Sequence, residues 1–309
     1  MEHTIGNTPI IELNSGYDNI RLFVKNEIFN PTGSIKDRVA NYIIQKAKNS
    51  GLLKPGQLIV EASSGNMGTS LAAIALGYGH PVHITCPDKT GNIKRKMIEK
   101  FGAKLTICPS VTDHNDPKFY VNVAKSIAAK ENGFLVNQYD NSLNTECHFS
   151  TTGQEIIDYF IKQDLNLDYF VTVGGSGGTI SGCARKIKSF FPKAKIVMPD
   201  PIGSIYYDLF YHGHVIEENI KPYKVEGPGN PVFCQSMDLD AIDEIMQFSD
   251  QEAFEGCDQL ARKHGLCGGH STGANYHIVK KLIDRLKKQK KPTATTILFL
   301  IPDSGMKYL

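Results

Sequence analysis

The chain is short of net charge and of long apolar runs, and both shortages exclude whole classes of partner. Lys and Arg number 34 against 32 for Asp and Glu, a formal net charge of +2, so no global field draws in nucleic acid or an anionic membrane. The densest apolar stretch, Ile297 to Pro302, is far below the ~20 residues that cross a bilayer. Met1-Glu2-His3-Thr4-Ile5-Gly6 has neither the basic start nor the apolar run of a signal peptide. Cysteine pairing is missing as well. Cys86, Cys108, Cys147, Cys183, Cys234, Cys257 and Cys267 are odd in number and scattered, with no Cys-x-x-Cys pair, which reads as reduced thiols in cytoplasm. Repeats, low-complexity tracts and a clear Pro/Gly/Ser linker are also lacking.

What remains is an ordinary globular chain of 309 residues, 41% hydrophobic and 21% charged, long enough for two domains and a core that needs no metal or disulfide. Short β-branched runs at Arg21–Val24, Leu58–Glu61, Pro81–Cys86, Lys104–Cys108, Tyr169–Val173, Lys195–Met198 and Thr295–Ile301 read as strands, several apolar on both faces. Helical periods fall at Asp37–Lys48, Gly68–Leu76, Ile93–Phe101, Tyr120–Lys130, Gln154–Lys162, Ile180–Phe190, Gln251–His264 and Ala274–Lys288. The alternation predicts an α/β fold of repeated βαβ units around mostly parallel sheets. Ile202 to Val232, rich in Gly and Pro, shows no period and reads as a long loop.

Ligands of such sheets bind outside the carboxyl ends of strands, and four strand-to-helix turns stand out. Gly174-Gly175-Ser176-Gly177-Gly178-Thr179 follows an apolar strand and opens a helix, a geometry that gathers N–H groups for a phosphate. A P-loop would need a Lys that is missing. A dinucleotide G-x-G-x-x-G starting at Gly175 puts Ile180 where the third glycine belongs, although Asp200 mimics the ribose-binding acid. A nicotinamide enzyme therefore stays open. The second turn, Asn30-Pro31-Thr32-Gly33-Ser34-Ile35-Lys36-Asp37-Arg38, has Ser34 as a candidate cap and Lys36 in the first helical turn. By itself Lys36 reads as a solvated lysine paired with Asp37. The third, Glu61-Ala62-Ser63-Ser64-Gly65-Asn66-Met67-Gly68, offers hydroxyls, an amide and N–H groups suited to a carboxylate, with Ser64 or Asn66 equally readable as simple caps. The fourth is Gly268-Gly269-His270-Ser271-Thr272-Gly273.

In order and spacing these four turns resemble the cysteine synthase and cystathionine β-synthase family of pyridoxal-phosphate enzymes, fold type II. Supporting stretches are Asn137-Gln138-Tyr139-Asp140-Asn141, Asp200 to Ile205, Val225 to Gly229 and Pro302-Asp303-Ser304. Gly203 to Tyr207 and Glu226-Gly227 look closer to the cystathionine β-synthase branch.

The resemblance implies pyridoxal 5′-phosphate on Lys36 as Schiff base and general base, with Gly175, Ser176, Gly177, Gly178 and Thr179 on its phosphate. Asn66 would reach the cofactor's 3′-oxygen, and Ser271 its ring nitrogen. Ser63, Ser64, Gly65, Met67 and Gln138 would grip the substrate carboxylate, with Ser63 and Met67 standing where the family usually has Thr. The implied chemistry is β-replacement on L-serine or an O-activated serine through an aminoacrylate, with a thiol or sulfide nucleophile. An amine nucleophile, a β-elimination lyase and a catalytically silent relative remain alternatives. The implied domains are residues 1–37 with 147–309, which hold the phosphate, and a smaller mobile unit, 38–146. The implied partners are amino-acid substrates and a second copy in a homodimer. Relatives generally run past Pro302-Asp303-Ser304, so a trimmed C-terminus is implied by Leu309.

Other conspicuous residues read plainly. His212 and His214 lack a third metal ligand nearby and read as surface loop. Lys287, Lys288, Lys290 and Lys291 complement a helix end without the aromatic interleaving of a nucleic-acid surface. Cys267 reads as a buried thiol, and His148 and His270 as satisfied polar residues bordering the site loops.

Overall fold

A computed structural model describes residues 2–111, 113–288 and 294–309. In chain order the elements are β1 Ile10–Leu13, β2 Ile20–Asn26, α1 Lys36–Asn49, β3 Ile59–Ala62, α2 Asn66–Gly77, β4 Val82–Pro87, α3 Asn92–Lys100, β5 Lys104–Cys108, α4 Tyr120–Lys130, β6 Phe134–Leu135, α5 Ser142–Ser150, α6 Thr152–Lys162, β7 Tyr169–Val171, α7 Gly178–Phe190, β8 Lys195–Pro201, α8 Tyr206–His212, β9 Glu244–Phe248, α9 Asp250–His264, α10 His270–Lys287 and β10 Thr295–Ile301.

They form two sheets, one in the order β1-β2-β10-β7-β8-β9 and one in the order β5-β4-β3-β6. Every pairing is parallel except β1 with β2. At the centre of the larger sheet, β10 pairs Ile297 with Leu22 on one side and with Tyr169 on the other. All seven of its residues are buried, as a strand covered on both faces requires. α10 lays Ala274, Ile278, Leu282 and Leu286 against this sheet at helical spacing. Cutting the fully buried Leu282 to Ala costs about 2–5 kcal/mol. The smaller sheet has its own core, in which Ile43, Ile44, Ile59, Leu71 and Ile84 are fully buried.

Helix ends follow local chemistry. α9 opens on a capping box of Ser249 and Glu252 and closes on Gly265 at φ +69°. α1 departs from expectation. Ile35 occupies its cap position without a side-chain bond, and Ser34 Oγ accepts from Lys36 N, at a long 3.3 Å.

Several elements are additions to the sequence reading. β1, β6 and β9 are short or at sheet edges, and α5 buries Asn144, Cys147 and His148, so no apolar stripe marks it. The supposed loop at Ile202–Val232 contains α8 and a 3₁₀ turn, Glu217–Asn219. Seven residues are too few to show a period, and the left-handed Gly203 and Gly213 frame them. Cys267 is exposed, not buried, and all seven cysteines are free thiols. Lys287 stacks over Tyr17 at 3.7 Å, whereas Lys290 and Lys291 lie outside the described residues. His212 ends α8 and His214 follows it on the surface, with His214 Nδ1 bonded to the His212 carbonyl. Among the described residues, no helix is long and apolar enough to cross a membrane.

Candidate active site

The turn after β7 brings its backbone donors to the head of α7. Among the described residues, no N–H from Gly175 to Thr179 donates to another protein group. Five such donors beside a helix N-terminus call for an anion with several acceptor oxygens. The turn is fixed from outside: Tyr206 donates its hydroxyl hydrogen to the Gly175 carbonyl at 2.8 Å, and Gly229 N donates to the Gly174 carbonyl at 2.6 Å. Gly177 sits at φ +91°, and a Cβ there would strike the Met237 backbone. Ser176 Oγ accepts from Asn144 Nδ2 at 3.0 Å, and Thr179 Oγ1 meets His148 Nε2 at 3.1 Å. A phosphate fits this cradle of free N–H groups and hydroxyls.

Lys36 is not paired with Asp37. The Asp37 carboxylate accepts from Thr32 N at 2.7 Å and from Thr32 Oγ1 at 2.5 Å, which leaves Lys36 Nζ with no hydrogen bond or ion pair among the described residues. Burial lowers this amine below its ordinary range, while nearby Glu61 pulls the other way. An amine whose charged form is disfavoured by burial, and which has no partner among the described residues, is available for chemistry. Two residues on, Arg38 is clamped in a buried network. Its Nε meets Glu27 Oε2 at 2.6 Å, its Nη1 meets Glu155 Oε1 at 2.6 Å, and Lys25 Nζ meets Glu155 Oε2 at 2.8 Å. That network anchors the first turn of α1.

The Ser63–Met67 loop is shaped by Ser63, whose Oγ accepts from Gly65 N at 3.1 Å and from Gly68 N at 2.9 Å. Ser63, rather than Ser64 or Asn66, therefore satisfies the donors at the head of α2. Ser64 is exposed, with no side-chain partner among the described residues, and the Met67 side chain is buried in the small-sheet core. Gln138 Nε2 reaches the Ala62 carbonyl at 3.4 Å, bringing it beside the loop. Glu61 pins that neighbour: its carboxylate accepts from Asn137 N at 2.8 Å and Gln138 N at 3.4 Å. Burial pushes the Glu61 carboxyl up to about 8, against these two donors.

Asn66 is engaged by both its polar atoms. Nδ2 donates to Asp303 Oδ2 at 2.7 Å, and Oδ1 accepts from Lys307 Nζ at 2.9 Å. Among the described residues Ser271 Oγ has no hydrogen-bond partner, and a Cβ on Gly227 would sit 2.7 Å from it. At the mouth, Lys94 covers Gly65, pairs with Glu226 and lies 3.9 Å from the centre of the Tyr308 ring. Tyr308 donates to Asp303 Oδ2 at 2.6 Å.

Lys94, Asn144, Lys307 and Tyr308 are thus neighbours of the site outside the quoted motifs, and Glu61 and Asp303 lie within those motifs but were given no role. An acid at the end of an otherwise apolar strand was a usable signal for Glu61, since buried carboxylates need a reason. The others carry no local pattern. Asp200, the apparent ribose-binding acid, is fully buried, with Oδ2 accepting from Tyr207 N at 3.0 Å. It is turned into the protein, which removes the support for a nicotinamide site.

A phosphate-type turn and a half-buried amine with no partner among the described residues, served by separate helix heads, describe a cofactor-dependent α/β enzyme. The chain belongs to the family of pyridoxal-phosphate dependent enzymes, whose sequence pattern matches residues 1–303. It is 33% identical to the cystathionine β-synthase of Apis mellifera, over 99% of this chain and 59% of that protein. The same identity holds with the Saccharomyces cerevisiae cystathionine β-synthase, over 99% of this chain and 61% of the other. The chain thus spans roughly three-fifths of the length of these curated relatives. Among solved structures, O-ureido-L-serine synthase aligns with a TM-score of 0.89 at 31% identity, covering 99% of this chain and 92% of that one. The O-acetylserine dependent cystathionine β-synthase of Helicobacter pylori aligns with a TM-score of 0.85 at 28% identity, covering 100% and 96%. The fold is therefore fold type II of this family, and its cofactor is pyridoxal 5′-phosphate.

Proposed function

We propose that this protein replaces the β-substituent of L-serine or an O-activated serine with a thiol or sulfide. The unpaired Lys36 amine, lowered by burial, is the observation that carries the reading. The bound cofactor supplies an aldehyde that captures amines and a conjugated ring that withdraws electron density from Cα. The N–H groups of Gly175 to Thr179, with the hydroxyls of Ser176 and Thr179, hold its phosphate. Asn66 would hold its 3′-oxygen.

The carboxylate of the amino acid is received at the Ser63–Met67 loop, by Ser64 Oγ, backbone N–H groups and Gln138 Nε2. That grip turns Cα–H toward Lys36, whose Nζ removes the proton and later returns it. Ser271 offers a neutral hydroxyl rather than a carboxylate, so it would not hold a proton on the cofactor's ring nitrogen. Electron density then leaves through Cβ. The Cβ–O bond breaks, a C–S bond forms, and water, acetate or phosphate departs with the thiol proton balanced in the products. Residues 38–146 make the smaller unit bearing the carboxylate loop, and residues 1–37 with 147–309 the larger unit bearing the phosphate turn.

The test is to incubate the holoenzyme with serine, O-acetylserine or O-phosphoserine, each with sulfide or a thiol, and to read products by mass spectrometry. A new thioether or cysteine, lost in Lys36→Ala, is expected. Products carrying only C–N bonds, or only elimination products, would overturn the reading.

A further inference from the structure

His148 stands directly behind the phosphate turn, and its surroundings dictate which ring nitrogen carries the hydrogen. The ring is fully buried on α5. Its Nδ1 lies 2.9 Å from Thr152 Oγ1, and its Nε2 lies 3.1 Å from Thr179 Oγ1. Small neighbours make room for it: a Cβ on Gly182 of α7 would come within 2.8 Å of His148 Cβ.

A hydroxyl has one hydrogen to give, and a neutral imidazole has one N–H. Thr152 is fully buried, and the ring is its hydroxyl's one partner among the described residues. With the ring hydrogen on Nδ1, Thr152 would accept, and its own hydrogen would be stranded away from water, a cost of the kind buried groups avoid. With the hydrogen on Nε2, Thr152 donates to Nδ1 and nothing is stranded. Thr179, half-buried at the site, then accepts from the ring and keeps its own hydrogen. Full protonation is opposed by burial and by Lys36 and Arg38, against which Glu155 is the one favourable charge.

We propose that His148 is a positioning residue for the cofactor: its Nε2–H donates to Thr179 Oγ1, which aims the Thr179 hydroxyl hydrogen into the phosphate cradle. This rests on the reading that the Gly175–Thr179 turn takes the cofactor's phosphate. The relay Thr152–His148–Thr179 converts a hydroxyl free to rotate into a donor of fixed direction, at a place where the acceptor is an anion.

The test reads the holoenzyme twice. Nitrogen-15 NMR of labelled histidine is expected to show His148 neutral with its hydrogen on Nε2. A hydrogen on Nδ1, or an imidazolium, overturns the proposal. Phosphorus-31 NMR of the bound cofactor and its retention on dialysis are then compared in His148→Phe, Thr179→Ala and the double variant. His148→Phe is expected to shift the resonance and weaken retention roughly tenfold, the loss of about one charge-assisted hydrogen bond, with little further loss in the double variant. If Thr179→Ala moves the resonance and His148→Phe does not, the relay is wrong and the phosphate assignment stands. If neither moves it, the phosphate lies elsewhere and both fall. Should His148→Phe fail to fold, the wild-type nitrogen spectrum alone decides.

Discussion

Lys94 and Glu226 form an ion pair across the mouth of the site, joining α3 beside the small sheet to the segment that precedes the Ser271 turn in space. The two partners are unequal, with side-chain exposures of 3% and 38%. The pair closes over Gly65, where the substrate carboxylate is proposed to bind, so its strength bears on access as well as stability.

That inequality gives the first prediction. Removing the cation in Lys94→Met leaves Glu226 able to turn into water. Removing the anion in Glu226→Gln leaves a buried ammonium without its ion-pair partner, against the Tyr308 ring. Glu226→Gln is expected to lose more stability than Lys94→Met, by about 1–2 kcal/mol, measured by urea unfolding. Equal losses would mean that the pair is not the closure contact described.

Gly177→Ala tests the cradle sterically. The backbone there is left-handed and the added methyl strikes Met237, so the turn must open and its N–H groups diverge. Visible absorbance of the purified protein should show cofactor occupancy falling at least tenfold, while Gly213→Ala, also left-handed but with open space around it, leaves occupancy intact.

Glu61 predicts a pH dependence. Its folded value of about 8 lies above its ordinary 4.5, so between these values the unfolded chain has lost the proton that the folded chain keeps. Stability from this group is full below pH 4.5 and declines as pH rises toward 8. Relative to wild type, Glu61→Gln should gain stability as pH rises from 5 to 8, on the order of 4 kcal/mol at most. A difference constant with pH in paired urea titrations would contradict this.

Arg38→Met leaves Glu27 buried without its main counter-charge and Glu155 with Lys25 alone. A loss of about 3–5 kcal/mol is expected in urea unfolding. Because the network anchors the first turn of α1, the reactivity of the Lys36 amine should change with it.

Much of the scaffold was legible because it is periodic. Tyr120–Lys130 and Thr295–Ile301 were bounded correctly from pattern alone, and the glycine turn announced a helix head. The pieces that escaped are those whose burial is polar or whose length is short. α5 hides Asn144 and His148 inside, and α8 has seven residues. Lys36 could not be told from a surface lysine by its neighbours in sequence, since Asp37 looks like a partner until Thr32 is seen to claim it. The contacts of Asn66 with Asp303 and Lys307 cross more than two hundred residues, and no local rule reaches that far.

The most direct measurement is reduction of the holoenzyme with borohydride, followed by peptide mass spectrometry. The cofactor mass should be fixed on Nζ of Lys36 and lost in Lys36→Ala. A label on Lys94 or Lys307, the buried lysines at the mouth, or a protein that holds cofactor yet yields no labelled lysine, would contradict the account.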